Sequence, residues 1–183
     1  MRSGARGLPI TLDVEGAKVL VIGGGDEMAR RLELLREAGA ELLERAAFVP
    51  RELDGAQMVF FGLSDPLLAA EVHAAARARS ILCWCADDPA HSDFALPAVA
   101  RLGRARLAIS TSGASPALAS RLRALFEREL GDRFPKFLDA LAHLRDELKR
   151  DEPAPAKRRA RLLQAVDGFT LDVKANYPEW FTS

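Results

Sequence analysis

Cysteine and histidine are scarce in this chain, and an excess of charge of either sign is absent. Two cysteines occur in 183 residues, Cys83 and Cys85. They lie two apart on an apparent strand, hence on one face, where they do not bridge each other. With no disulfide framework, the expected setting is a reducing cytoplasm. The three histidines, His73, His91 and His143, are scattered without metal-ligand spacing, so no permanent metal cage is expected. Lys+Arg and Asp+Glu both number 26, for a net charge of zero, which removes any global argument for nucleic acid or a membrane surface as partner. No apolar run approaches the roughly 20 residues of a membrane span. Residues 1–7 hold two arginines but no apolar stretch of the kind a secretory signal needs.

What the chain does have is apolar bulk in short runs. Hydrophobic residues make up 49% of it, enough for a real core, and the length suits one domain or one and a half. The rest is organised around residues 17–30. Val19 to Ile22 is a short continuous apolar run, the pattern of a parallel strand covered on both faces. Gly23-Gly24-Gly25 follows, then a helix from about Asp26 to Ala38 that Gly39 stops. Gly23 and Gly25 fit the first two glycines of a dinucleotide fingerprint, one for a tight turn and one for close approach of the backbone to a pyrophosphate. The helix start at Asp26 and Glu27 would offer its amides and dipole to that anion. Met28 holds the third glycine position. A glycine turn between strand and helix also forms with no ligand, so both readings stand.

Ala40 to Glu44 reads as a second strand. Glu44 stands where an acid would hold ribose hydroxyls; a solvated strand-end glutamate is the alternative. Met58 to Leu63 and Ile81 to Ala86 read as further buried strands, with an alanine-rich helix over 66–79 begun by Asp65 and Pro66. This rhythm predicts an α/β fold with a parallel sheet. Residues 41–57 are too few for a strand, a helix and another strand, so one βα unit is abbreviated or missing. Asp87-Asp88-Pro89 follows the last strand, at the edge where open α/β sheets bind ligands. Two adjacent acids make a usable base, or a plain turn, which Asp-Pro favours locally.

Residues 94–100 and 106–111 read as two strands of a hairpin around Gly103. Ser115 and Pro116 then start a helix that runs to about Leu130. Residues 134–150 carry apolar side chains at helical spacing. Lys157-Arg158-Arg159-Ala160-Arg161 opens another helix, its basic run either a solvated face or the cover of a polyanionic ligand. Tyr177, Trp180 and Phe181 in the tail are expected to dock on this helical region.

Four segments fall in one order: Leu8-Pro9 leading into Val19 to Gly25; Asp87-Asp88-Pro89 with Phe94 and Pro97 behind it; Leu107-Ala108-Ile109-Ser110-Thr111-Ser112-Gly113-Ala114-Ser115-Pro116; and Leu118 to Arg123, then Leu144-Arg145. Together they resemble the precorrin-2 dehydrogenase/sirohydrochlorin ferrochelatase family, which forms the N-terminal part of siroheme synthase. The resemblance covers roughly residues 8–150. It implies a Rossmann-like NAD-binding domain over 1–88, here abbreviated, a hairpin-containing dimerisation region over 89–133 and a helical region over 134–183, in a homodimer.

The implied reaction is NAD-dependent oxidation of precorrin-2 to sirohydrochlorin, with Fe2+ insertion following in some members. The position matching the family's catalytic aspartate is Asp87. The cofactor would rest on Gly23, Gly25, Asp26, Glu27 and Glu44. A tetrapyrrole with eight carboxylates needs donors at the rim of its cleft. Arg101, Arg104, Arg106 and Arg121 are candidates for charge-assisted bonds, each weighed against a solvent-facing charge. The amides and hydroxyls from Ser110 through Thr111, Ser112 and Gly113 to Ser115 form a candidate anion nest ahead of a helix N-terminus. The short 41–57 segment keeps two alternatives in view: a ferrochelatase without dehydrogenase activity, and a non-catalytic tetrapyrrole- or nucleotide-binding dimer.

Overall fold

A computed structural model describes residues 7–181. The chain divides between Leu96 and Pro97 into two compact units. In the first, β1 (Lys18–Gly23), β2 (Glu41–Arg45), β3 (Met58–Gly62) and β4 (Leu82–Cys85) form one parallel sheet in the order β2-β1-β3-β4. Helix α1 (Asp26–Glu37) joins β1 to β2, and α2 (Pro66–Arg77) joins β3 to β4.

The two-residue period of the strands sorts their side chains into two apolar layers. Leu20, Ile22, Val59, Phe61 and Cys83 face Ala69, Val72 and Ala76 of α2. Val19, Val21, Met58, Phe60 and Trp84 face Met28, Leu32 and Leu35 of α1. Both faces are covered, which is why the strands read as continuous apolar runs. Each fully buried side chain of this size contributes about 1.5–3 kcal/mol.

From β2 the chain returns past β1 to β3 through only a 3₁₀ turn at Pro50–Leu53, pinned by the wholly buried Leu53. The short 41–57 segment thus dispenses with a crossover helix. Because β2 and β3 lie on opposite sides of β1, the strand order reverses at β1. Open α/β sheets place their ligand crevice at that switch, outside the carboxyl ends of the strands.

Residues 89–96, assigned from sequence to the region after the sheet domain, are tied to β4. Asp93 N donates to the Cys83 carbonyl at 2.8 Å, Cys83 N donates to Asp93 Oδ2 at 3.0 Å, and Cys85 N donates to Ser92 Oγ at 2.9 Å. This strap covers an otherwise open sheet edge. Phe94 closes over the α1 layer, its ring 5.7 Å from that of Phe60.

The second unit opens with an antiparallel hairpin, β5 (Ala98–Leu102) and β6 (Ala105–Ile109). The turn is tighter than expected from sequence, and β5 starts after Pro97 rather than at Phe94. The reason is Gly103, whose φ of 64° permits a two-residue loop. Then come α3 (Pro116–Leu130), packed on β5, and α4 (Arg133–Asp151), packed on α5 (Pro155–Ala165). The tail aromatics do not dock as expected: Tyr177 is 72% exposed and Trp180 80%, and they contact Phe181 instead. Phe169 takes the place on the helices, stacked on Phe137 at 5.6 Å and tilted against Phe134 at 5.8 Å.

Candidate active site

At the carboxyl edge of the sheet, Gly23, Gly62 and Ala86 stand side by side at the ends of three neighbouring strands. Gly23 pairs with Gly62, and Ala86 N donates to the Phe61 carbonyl at 2.8 Å. The two fingerprint glycines have separate roles. Gly23 has φ 85°, and a Cβ there would fall 2.2 Å from the Gly62 carbonyl oxygen, so its reason is strand-to-strand packing. Gly25 has φ 113° and would meet nothing within 4 Å, so its surface is open to a ligand. Met28 is buried, its Cε close to Gly62. It fills with a flexible thioether the space that the fingerprint's third glycine would leave.

Gly25 is also the N-cap of α1 and supplies no side-chain hydrogen bond to it. The first-turn amides of α1 therefore have no side-chain cap and point where an anion binds. Asp26 is the first helical residue. Glu27 follows it in the helix, and its side chain lies outside the described portion. Glu44 is on the α1 face of β2 and is engaged already, accepting from Arg36 Nη2 at 2.6 Å. To hold a ribose it would have to leave or share that arginine. Both side chains are about half exposed, which makes the exchange inexpensive.

Asp87 and Asp88 separate completely. Asp88 caps the 3₁₀ turn Pro89–His91 by accepting from Ala90 N at 2.9 Å. It also pairs with His91 Nδ1 at 2.5 Å, and that bond holds its carboxyl below the usual carboxylate range. Asp87 follows Ala86 with φ 57°, in a left-handed conformation that aspartate tolerates better than most residues. It is exposed, and its carboxylate has no hydrogen-bond or ion-pair partner among the described residues. Of the two acids, it is the one at liberty to take a proton at the sheet edge.

In the second unit the Ser110–Ser115 loop spends most of its polar atoms on its own shape. Thr111 Oγ1 donates to the Ser115 carbonyl and accepts from Ser115 N, both at 3.1 Å. Ser110 Oγ accepts from Ser112 N, and Ser115 Oγ caps α3 by accepting from Leu118 N at 3.1 Å. Successive left-handed residues, Ser112 at 53° and Gly113 at 83°, leave the Ser112 hydroxyl and the Gly113 amide without a protein partner among the described residues. Arg121 is exposed on α3 and likewise unpaired among them. Arg104 is only loosely opposed by Asp139, at 4.0 Å. Of the other arginines considered, Arg106 caps the hairpin turn, donating to the Gly103 and Ala105 carbonyls.

Two features were invisible to spacing along the chain. One is Gly62, which reads as an ordinary strand-end residue until its contact with the glycine turn is seen. The other is the convergence of His73, Cys83 and Asp93, ten residues apart in steps and brought together by α2, β4 and the strap.

Comparison with known proteins bears on this edge and this loop separately. Residues 41–98 match a family model described as putative NAD(P)-binding. Residues 107–129 match one described as sirohaem biosynthesis protein central, which contains the Ser110–Ser115 loop and Arg121. Siroheme synthases of Nitrosococcus oceani and Thiobacillus denitrificans are 31% and 35% identical, over 78% and 84% of this chain. Over most of its length the chain is similar to siroheme synthases. It spans 35% and 36% of the length of those two relatives, and 38% of the Methylococcus capsulatus siroheme synthase. A solved structure described as SirC, precorrin-2 dehydrogenase, superposes with a TM-score of 0.70 over 88% of this chain and 90% of its own, at 22% identity, which establishes the shared fold. Matches to a putative NAD(P)-binding model and to a sirohaem biosynthesis central model thus lie in one chain.

Proposed function

We propose that this chain oxidises precorrin-2 to sirohydrochlorin with NAD+, and that Asp87 is the base. The observation that carries the reading is the sheet edge itself: an uncapped helix N-terminus and an open Gly25 at the strand-order switch, with an unpartnered carboxylate nearby. The names of the relatives and of the structural neighbour supply the substrate class.

The balance is precorrin-2 plus NAD+ giving sirohydrochlorin, NADH and a proton. NAD+ contributes the hydride acceptor. The chain's residues contribute the rest. The α1 amides and Gly25 would hold the pyrophosphate, with Gly23 setting the turn and Asp26 and Glu27 at the helix mouth. Glu44, exchanged from Arg36, would hold the ribose, a choice that favours NAD over its 2′-phosphorylated form. Asp87 takes the proton lost as hydride leaves the macrocycle. In the second unit, Arg104, Arg121, the Ser112 hydroxyl and the Gly113 amide are assigned to the carboxylates of the substrate, with Ser110, Thr111 and Ser115 shaping the loop that presents them. The chain acts as a homodimer, with β6 as the free edge through which the hairpin can extend.

The 3₁₀ link between β2 and β3 leaves no crossover helix beside the adenosine side, and this favours a second reading. In that reading the chain is a chelatase, with Fe2+ as substrate and two pyrrole protons leaving on insertion. Anaerobic turnover of precorrin-2 with NAD+, followed by NADH absorbance, separates the two. NADH formation that falls at least about 100-fold in Asp87→Asn, with the dimer intact, is the expected result. No NADH, with Fe2+ still inserted into sirohydrochlorin, would establish the chelatase. Neither activity would leave a tetrapyrrole- or nucleotide-binding dimer.

A further inference from the structure

Three side chains of different ligand chemistry meet on the α2 face of the first unit. His73 comes from α2, Cys83 from β4 and Asp93 from the strap, and one ligand atom of each lies within 4.8 Å of the others. The His73 Nε2 to Asp93 Oδ1 edge is 3.6 Å. The centre of a triangle with sides of 3.6–4.8 Å lies about 2.1–2.8 Å from its corners, against about 2.0–2.3 Å for zinc bonds to nitrogen, oxygen and sulfur. A contraction of about half an ångström closes the difference.

Two further observations point to a ligand. His73 Nε2 is sealed from solvent and has no hydrogen-bond partner, a state that costs free energy while nothing binds it. Asp93 is held in position from behind: its Oδ2 accepts from Cys83 N at 3.0 Å, and its Oδ1 is turned towards His73. Such a hydrogen bond to the far oxygen is how ligating carboxylates are oriented.

We propose that His73 Nε2, Cys83 Sγ and Asp93 Oδ1 bind a borderline-soft divalent ion, zinc or cobalt. The mixed nitrogen, sulfur and oxygen set suits these ions and not calcium or magnesium, which take oxygen ligands. Three protein ligands leave the fourth tetrahedral position to water. As the sulfur–metal bond forms, the thiol proton passes to solvent. Arg77, 3.7 Å from Asp93 Oδ1, is the competing cation; its side chain is 61% exposed and swings to water when the ion takes the carboxylate. Bound metal ties α2 to β4 and the strap, and it uses none of the residues assigned to the proposed dehydrogenation.

The test is anaerobic titration of the reduced, chelator-stripped full chain, free of any polyhistidine tag, with Co2+. One equivalent should bind with a thiolate-to-cobalt charge-transfer band in the near ultraviolet, and Zn2+ should displace it. Cys83→Ser should lose the band, His73→Gln should weaken binding at least about tenfold, and Cys85→Ser should keep the band. Circular dichroism establishes that each variant is folded. Absence of stoichiometric binding overturns the proposal, as does a band that survives Cys83→Ser. If Cys83→Ser fails to fold, an unchanged Co2+ affinity in His73→Gln overturns it.

Discussion

An added methyl group at Gly23 meets the Gly62 carbonyl oxygen at 2.2 Å, whereas one at Gly25 meets nothing within 4 Å. Both backbones sit at positive φ, so each substitution carries conformational strain of about 1–3 kcal/mol. Only at Gly23 is a backbone collision added. Gly23→Ala should therefore lower unfolding stability by more than about 2 kcal/mol. Gly25→Ala should cost less stability and more affinity for the dinucleotide. Denaturant unfolding and NAD+ titration of the two variants measure the contrast. The buried thiols make a second case. Burial, with Asp93 next, pushes Cys83 from 9.0 to about 12, and burial, with Asp88 and then Asp87, pushes Cys85 to about 11. In the metal-free chain, between about pH 9 and these values, the unfolded state has lost thiol protons that the folded state keeps, so stability falls as pH rises. The slope of unfolding free energy against pH over that interval should be shallower in the doubly substituted Cys83→Ala/Cys85→Ala chain.

Among the elements, α3 shows most directly how local chemistry places a loop. Pro116 cannot donate, Ser115 caps through Leu118 N, and Thr111 clips the loop to the Ser115 backbone in both directions. Losing the cap in Ser115→Ala should cost about 1 kcal/mol, read as a shift in the denaturant midpoint with an unchanged slope. The hairpin depends on Gly103 in a different way. Its φ of 64° sets the turn, and the Pro135 Cβ stands 2.8 Å from where its own Cβ would be, so α4 is seated against the turn. The capping signals of α2 and α3 were readable from Asp65-Pro66 and Ser115-Pro116. The hairpin ends were not, because a two-residue loop at Gly103 and a longer one satisfy the same alternation.

For the molecule as a whole, two strands alone are marginal in water, and the hairpin leans on α3, which packs chiefly on β5 and less on β6. A homodimer is the expected assembly. Light scattering on the eluting chain should give twice the 19.9 kDa of the monomer, and the melting temperature should rise with protein concentration. No helix among the described residues is long and apolar enough to cross a membrane.

The order of strands and helices, the glycine turn and the acids after β4 follow from the sequence alone, because apolar runs, Asp-Pro and Ser-Pro starts and glycine stops act over a few residues. Tertiary structure decided the rest. It placed Gly62 against Gly23, gave Glu44 to Arg36, and spent Asp88 on His91 while leaving Asp87 open. It also drew His73, Cys83 and Asp93 together. These outcomes depend on which strand ends become neighbours and which face of β2, β4 or α2 a residue occupies. Such contacts are set by packing across the sheet, at separations along the chain that no local pattern encodes.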